Sequence, residues 1–84
     1  MTNEELIGKL KTIVKPYIKN EEAFKNMNEQ TDFLNDLKIN SANLVDVILD
    51  VETEFDITID NESMEKMLNV KAAMDIINTK LAEK

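Results

Sequence analysis

The chain is expected to fold as an all-α domain: a small four-helix bundle made of three longer helices and one short one. Three features point there. In three separate windows, apolar residues recur at alternating spacings of four and three, the period of one buried helix face. Strand-type alternation is scarce and confined to the stretch around Ile57 and Ile59. Gly8 and Pro16 are the sole glycine and proline, so little interrupts a helix. With 84 residues there is room for one domain, taken as 1–84, and for a core of modest stability.

The elements follow in order. Thr2 and Glu5 have the spacing of a capping box. Leu6, Leu10, Ile13 and Tyr17, with Val14 alongside, then form one stripe. Pro16 lacks an N–H and disfavours helical geometry at Lys15, so the first helix is placed at about 3–16. Residues 18–36 are polar and weakly patterned, with Phe24, Met27, Phe33 and Leu34 as large apolar anchors. They read as a long loop, with a short helical turn possible after Asn20, and loops of that length are often functional. Ser41 is a good N-cap for the next helix, which runs to about Phe55 on a stripe of Leu44, Ile48, Val51 and Phe55. Val45, Val47 and Leu49 are expected to widen that stripe. At ~100° per residue, Asn43, Asp46, Asp50 and Glu54 gather on the opposite side. Ile57 and Ile59 alternate with Thr58 as an extended connector. Asp60 or Asn61 can cap a short helix over about 61–67, carrying Met64 and Met67. Asn69 can cap the last helix, whose stripe is Val70, Ala73, Met74, Ile77 and Leu81, with Lys80 and Lys84 in its final turn.

Charge narrows the partners. The chain has 17 acids and 10 basic residues, all of them lysine, and a net charge of −7. Between Ile39 and Glu65 lie Asp46, Asp50, Glu52, Glu54, Asp56, Asp60, Glu62 and Glu65, with no base among them. The remainder is close to neutral. Phosphate backbones and anionic membranes repel such a surface, so neither nucleic acid nor membrane is an expected partner. A basic protein surface fits it, since complementary fields raise encounter rates; the plainer alternative is a solvated face kept for solubility. The start, MTNEEL, is acidic and polar, and no apolar run approaches the ~20 residues of a membrane span. A cytoplasmic monomer is the expectation.

Composition also limits chemistry. Without cysteine there is no disulfide or thiol, and without histidine the commonest general base and metal ligand are missing. Ser41 can be a plain helix cap, a nucleophile, or an acceptor that another enzyme modifies. A nucleophile needs a base in reach, and neither a histidine nor a G-x-S-x-G elbow is present. An acceptor needs only exposure and a recognisable surface. Asp56, Thr58 and Asp60 imitate the opening of a calcium loop, but Asn61 and Met67 stand where glycine and glutamate are required, so no metal site is expected. Met27, Met64, Met67 and Met74 either fill the core or line a space that repacks around an apolar guest.

The stretch 36-DLKINSANLVDVILDVETEFDITIDNESMEKMLNVKAAMDII-77 resembles the acyl carrier protein family. Asp36 and Leu37 match the opening of its D-L-G-x-D-S-L segment, and Ser41 falls on its serine. Val45 and Asp46 match a V-E pair, and Glu52, Glu54 and Phe55 the E-x-E-F helix end. Ile59, Val70, Ala73 and Ile77 match the connector and last helix. Departures are Lys38 for glycine, Asn40 for aspartate, Ala42 for leucine, Asn43 for aspartate and Asp60 for proline. The resemblance implies a non-catalytic chain with 4′-phosphopantetheine, derived from coenzyme A, attached at Ser41 and acyl groups carried on its thiol. It implies docking of a phosphopantetheinyl transferase and of acyl-transferring or synthase enzymes, through basic patches, on Asn43, Asp46, Asp50 and Glu54. It also implies an acyl pocket lined by Val45, Leu49, Ile57, Met64 and Met67. The departures fit a specialised carrier; the alternatives are an unmodified carrier-like binding subunit and an aminoacyl or peptidyl carrier.

Overall fold

Every α-helix starts after a residue whose side chain accepts a hydrogen bond from the backbone three positions ahead. The computed structural model describes residues 2–83. Helix α1, Asn3–Val14, follows Thr2, whose hydroxyl accepts from the Glu5 N–H at 3.1 Å. Helix α2, Glu21–Lys25, is capped by Asn20 and helix α3, Ser41–Phe55, by Asn40. Asp60 caps α4, Asn61–Lys66, and Asn69 caps α5, Val70–Ala82. These contacts satisfy N–H groups that have no partner within the helix, and losing one costs about 1 kcal/mol. Lys84, expected in the last turn, lies outside the described residues.

The longer helices are the three expected, and the short turn after Asn20 is a second short helix. Pro16 converts the end of α1 into a 3₁₀ turn, Lys15–Tyr17, because its nitrogen cannot continue the α-helical ladder. The core joins Leu6, Leu10 and Val14 of α1 to Leu44, Val47, Ile48, Val51 and Phe55 of α3 and to Val70, Ala73, Met74 and Ile77 of α5. Helix α1 packs against both α3 and α5, and α4 against α5. Ile13, Tyr17 and Leu81 are half-buried at its rim. The α3 stripe is narrower than expected. Val47 joins it, but Val45 and Leu49 are 43% and 50% exposed, because they turn away from the line that faces α1 and the core.

Residues 18–36 are folded into the core. Met27, Thr31 and Phe33 within the segment, and Leu37 and Ile39 just after it, are buried. The Phe33 N–H donates to the Leu68 carbonyl at 3.0 Å and the Val70 N–H to the Thr31 carbonyl at 2.9 Å, which fixes this segment to the α4–α5 junction. The Asp32 carboxylate accepts from the N–H groups of Leu34 and Asn35, and Asp36 accepts from the Asp32 N–H, each at 2.8 Å. The radius of gyration is 11.6 Å, in line with about 12 Å for a compact globular chain of this length. Ile57 and Ile59 are buried with Thr58 exposed between them, and the Glu52 carboxylate accepts from the Ile59 N–H at 2.8 Å.

Among the described residues, two that are not glycine have left-handed backbone: Asp56 at φ 53°, where it ends α3, and Lys38 at φ 60°. Aspartate adopts this region more readily than lysine, for which it is strained. The left-handed cost of about 1–2 kcal/mol outweighs the extra chain entropy of glycine, about 0.5–1 kcal/mol. Lys38→Gly should therefore stabilise the fold by about 0.5–1 kcal/mol, read as a higher urea midpoint with unchanged slope. An unchanged midpoint would refute the strain at Lys38.

Candidate functional site

The chain reaches the surface where α3 begins. Ile39 is buried, its N–H donating to the Phe33 carbonyl, and Asn40, Ser41 and Ala42 are exposed. The Asn40 side-chain oxygen accepts from the Asn43 N–H at 2.7 Å. Asn40 is therefore the cap, which corrects the expectation for Ser41. The physical reason is that asparagine caps as well as serine does, and its extended backbone, φ −77° and ψ 164°, places the first helical residue at Ser41. The Ser41 hydroxyl is left with no hydrogen-bond partner among the described residues. No acid lies in the first turn of α3, so the partial positive charge of the helix start is not neutralised there.

Val45 and Leu49 lie four and eight residues beyond Ser41, about 6 and 12 Å along the helix axis and on roughly the same side. The serine thus heads an exposed apolar strip, flanked by exposed Asp46. The acidic face is not uniformly available. Asp50 accepts from the Tyr17 hydroxyl at 3.1 Å, and Glu54 pairs with Lys9 at 3.1 Å. The Lys9 ammonium also stands 5.9 Å from the centre of the Phe55 ring. Asn43 is half-buried and its N–H serves the cap. Asp46 is the residue of this group that is exposed and without a hydrogen bond or ion pair among the described residues.

The five residues expected around an acyl chain are differently placed. Ile57 and Met67 are buried and Met64 is half-buried, whereas Val45 and Leu49 face solvent. Ile57 also borders a surface depression of about 390 Å³ shared with Asp56, Thr58, Asp60, Lys80 and Glu83. Three of the four methionines named from the sequence, Met27, Met67 and Met74, are core residues. Two groups have shifted acidity. The hydrogen bond to Asp50, followed by desolvation and the negative charges of Asp50 and Asp46, raises the Tyr17 phenol above its ordinary value. Hydrogen bonds from Ser63 lower the Asp60 carboxyl, with Lys80 adding a smaller attraction.

No family model matches the chain. The acyl carrier protein of Coprothermobacter proteolyticus is 34% identical over 84 residues, covering 100% of both chains. This chain belongs to the acyl carrier protein family. The acyl carrier protein of Petrotoga mobilis is 33% identical over 96% of this chain and 93% of its own, and that of Thermotoga maritima 30% identical over 95% and 96%. The solved structure of the acyl carrier protein from Enterococcus faecalis superposes with a TM-score of 0.75 at 29% identity, covering 95% of this chain and 99% of that one. In this chain the clasps onto α3, Tyr17 of the 3₁₀ turn to Asp50 and Lys9 of α1 to Glu54, had no signal in the sequence. They depend on the register between two helices, which neither helix encodes alone.

The Tyr17 clasp has a defined pH dependence. A phenol whose folded pKa is raised adds stability that is fully present below its unfolded value near 10.0 and is lost as pH rises through the folded value. Lysine titration also acts above pH ~10, so the comparison is between variants. The melting temperature of Tyr17→Phe should converge on that of the parent as pH rises from about 9 to 11. A gap that stays constant over that range would rule out the clasp.

Proposed function

We propose that this chain carries acyl groups as thioesters on a 4′-phosphopantetheine arm attached to Ser41, and presents them to fatty-acid or specialised acyl and polyketide enzymes. The observation that carries this reading is the exposed, unpartnered hydroxyl at the first position of α3, in a member of this family. The residues present fit the group. The oxygen is accessible, and a phosphodiester formed on it would sit at a helix start with no acid in the first turn to repel it. The arm supplies a thiol, which a chain without cysteine cannot supply itself. The chain's own residues position the attachment point and offer docking surface; none is needed as a catalyst.

The partners are a phosphopantetheinyl transferase and acyl-handling enzymes with basic patches. Val45 and Leu49 offer apolar contact beside Ser41, and Asp46 offers the charge. Asp50 and Glu54 are shared with Tyr17 and Lys9, so a partner must compete for them. Contacts of this exposed kind are weak and screened by salt, which suits a carrier that must release each enzyme quickly. An inner shelter for the acyl chain is assigned to the side of Ile57, Met64 and Met67, where methionines repack at small cost, with Val45 and Leu49 outside it.

Incubation with coenzyme A, magnesium and a transferase should add the mass of one phosphopantetheinyl group, and Ser41→Ala should show none. No gain with any transferase of the source organism would defeat the attachment and favour an unmodified binding subunit. Asp46→Lys should slow acyl loading by a partner up to about fivefold at low salt, with the difference shrinking as salt rises. Equal rates at low salt would remove Asp46 from the docking surface.

A further inference from the structure

The geometry points to a second docking surface, of opposite sign, in the groove between the end of α1 and α2. We infer that it takes an acidic segment of a partner protein with an apolar side chain at its centre. The groove has a volume of about 350 Å³ and is lined by Lys15, Ile18, Glu21, Phe24 and Lys25. Ile18 and Phe24 are half-buried, so an apolar floor is presented to solvent. The Lys11 ammonium stands 5.9 Å from the centre of the Phe24 ring and adds a third cation at the edge. Glu21 is the one acid in the lining, leaving the groove net positive.

The lysines here differ from the four that are held in ion pairs, and share their unpaired state with Lys19 and Lys38 among the described residues. Lys9, Lys66, Lys71 and Lys80 each pair with a carboxylate. Lys15 and Lys25 make no ion pair among the described residues, although Glu21 lies in the same groove. Residues 9–25 hold five lysines against Glu21 and Glu22, a positive stretch in a chain of net charge −7. Two unpaired ammonium groups beside an exposed aromatic and an aliphatic side chain suit carboxylates flanking an apolar residue, by charge and by desolvation of the ring faces. At the low end of the size range for binding cavities, the groove suits a side chain or two rather than a large ligand.

Charge also selects among occupants. An anionic membrane would meet the acids of the rest of the molecule, and a second copy would bring another −7. An acidic segment on an otherwise neutral or basic partner meets neither penalty. The Lys19 N–H donates to the Leu37 carbonyl at 3.0 Å, so the strand of chain entering the groove is joined to the segment that leads into Ser41. A partner held there would lie toward the end of the molecule that bears Ser41, without using α3. The surface does not depend on Ser41 being modified.

The test is an NMR titration of the labelled full chain, at low salt, with a short synthetic peptide whose glutamates flank a leucine and a phenylalanine. A second peptide has glutamine in place of each glutamate. Amide shifts should concentrate in residues 15–25 with the glutamate peptide and be absent with the glutamine one. Lys15→Glu with Lys25→Glu should weaken binding at least about tenfold. Lys15→Gln with Lys25→Gln should weaken it less, and both variants should keep the parent circular dichroism and accept phosphopantetheine normally. Shifts that are absent, that occur equally with both peptides, or that map to α3 would overturn the proposal. So would binding to phosphatidylserine vesicles, or dimerisation in sedimentation equilibrium, that the double charge reversal abolishes.

Discussion

The rotation of α3 about its own axis governs what the surface of this molecule presents. Leu44, Val47, Ile48, Val51 and Phe55 are buried together against the remaining core. Burying a side chain of that size is worth about 1.5–3 kcal/mol, against tenths to about 1 kcal/mol for an exposed ion pair. The apolar set therefore decides the rotation, and the polar contacts adapt to it. Once that face is turned inward, Val45 and Leu49 must face out, whereas Ser41, nearly in line with Ile48, is exposed because it stands at the start of the helix. Any rotation that buried Val45 or Leu49 would expose part of the core set.

Where α3 begins is settled just as locally. The chain arrives from Phe33, Leu37 and Ile39, all buried, so its path to the surface is fixed before the helix opens. Asn40 then takes the capping role and frees the serine hydroxyl from it. A serine at the cap position would hold its oxygen against the backbone. A serine one residue later has it available. Asparagine at position 40 thus caps the helix without placing a negative charge next to the Ser41 oxygen.

Electrostatics divides the surface in two. The acids of α3 and the segment after it carry the net charge, but two of them are partly committed to Tyr17 and Lys9. The lysines of residues 11–25 are largely left to solvent at the other side of α1. Weak contacts of opposite sign discriminate partners without holding any of them for long, which fits the carrier role proposed above.

Much of the fold could be read from the chain. Helix periodicity, the caps at Thr2, Asp60 and Asn69, the break at Pro16 and the alternation of Ile57 and Ile59 are local properties, and local physics determines them. The family was legible as well, because it depends on residue order, whereas the cap of α3 was placed one residue late, at Ser41 instead of Asn40. Three things were not legible. The outward turn of Val45 and Leu49, the folding-in of residues 18–36 against the α4–α5 junction, and the clasps from Tyr17 to Asp50 and from Lys9 to Glu54 each required the tertiary structure. An apolar residue on a broad stripe can face either way until a neighbouring helix takes one side, and a side chain on one helix carries no record of which turn of another it will meet.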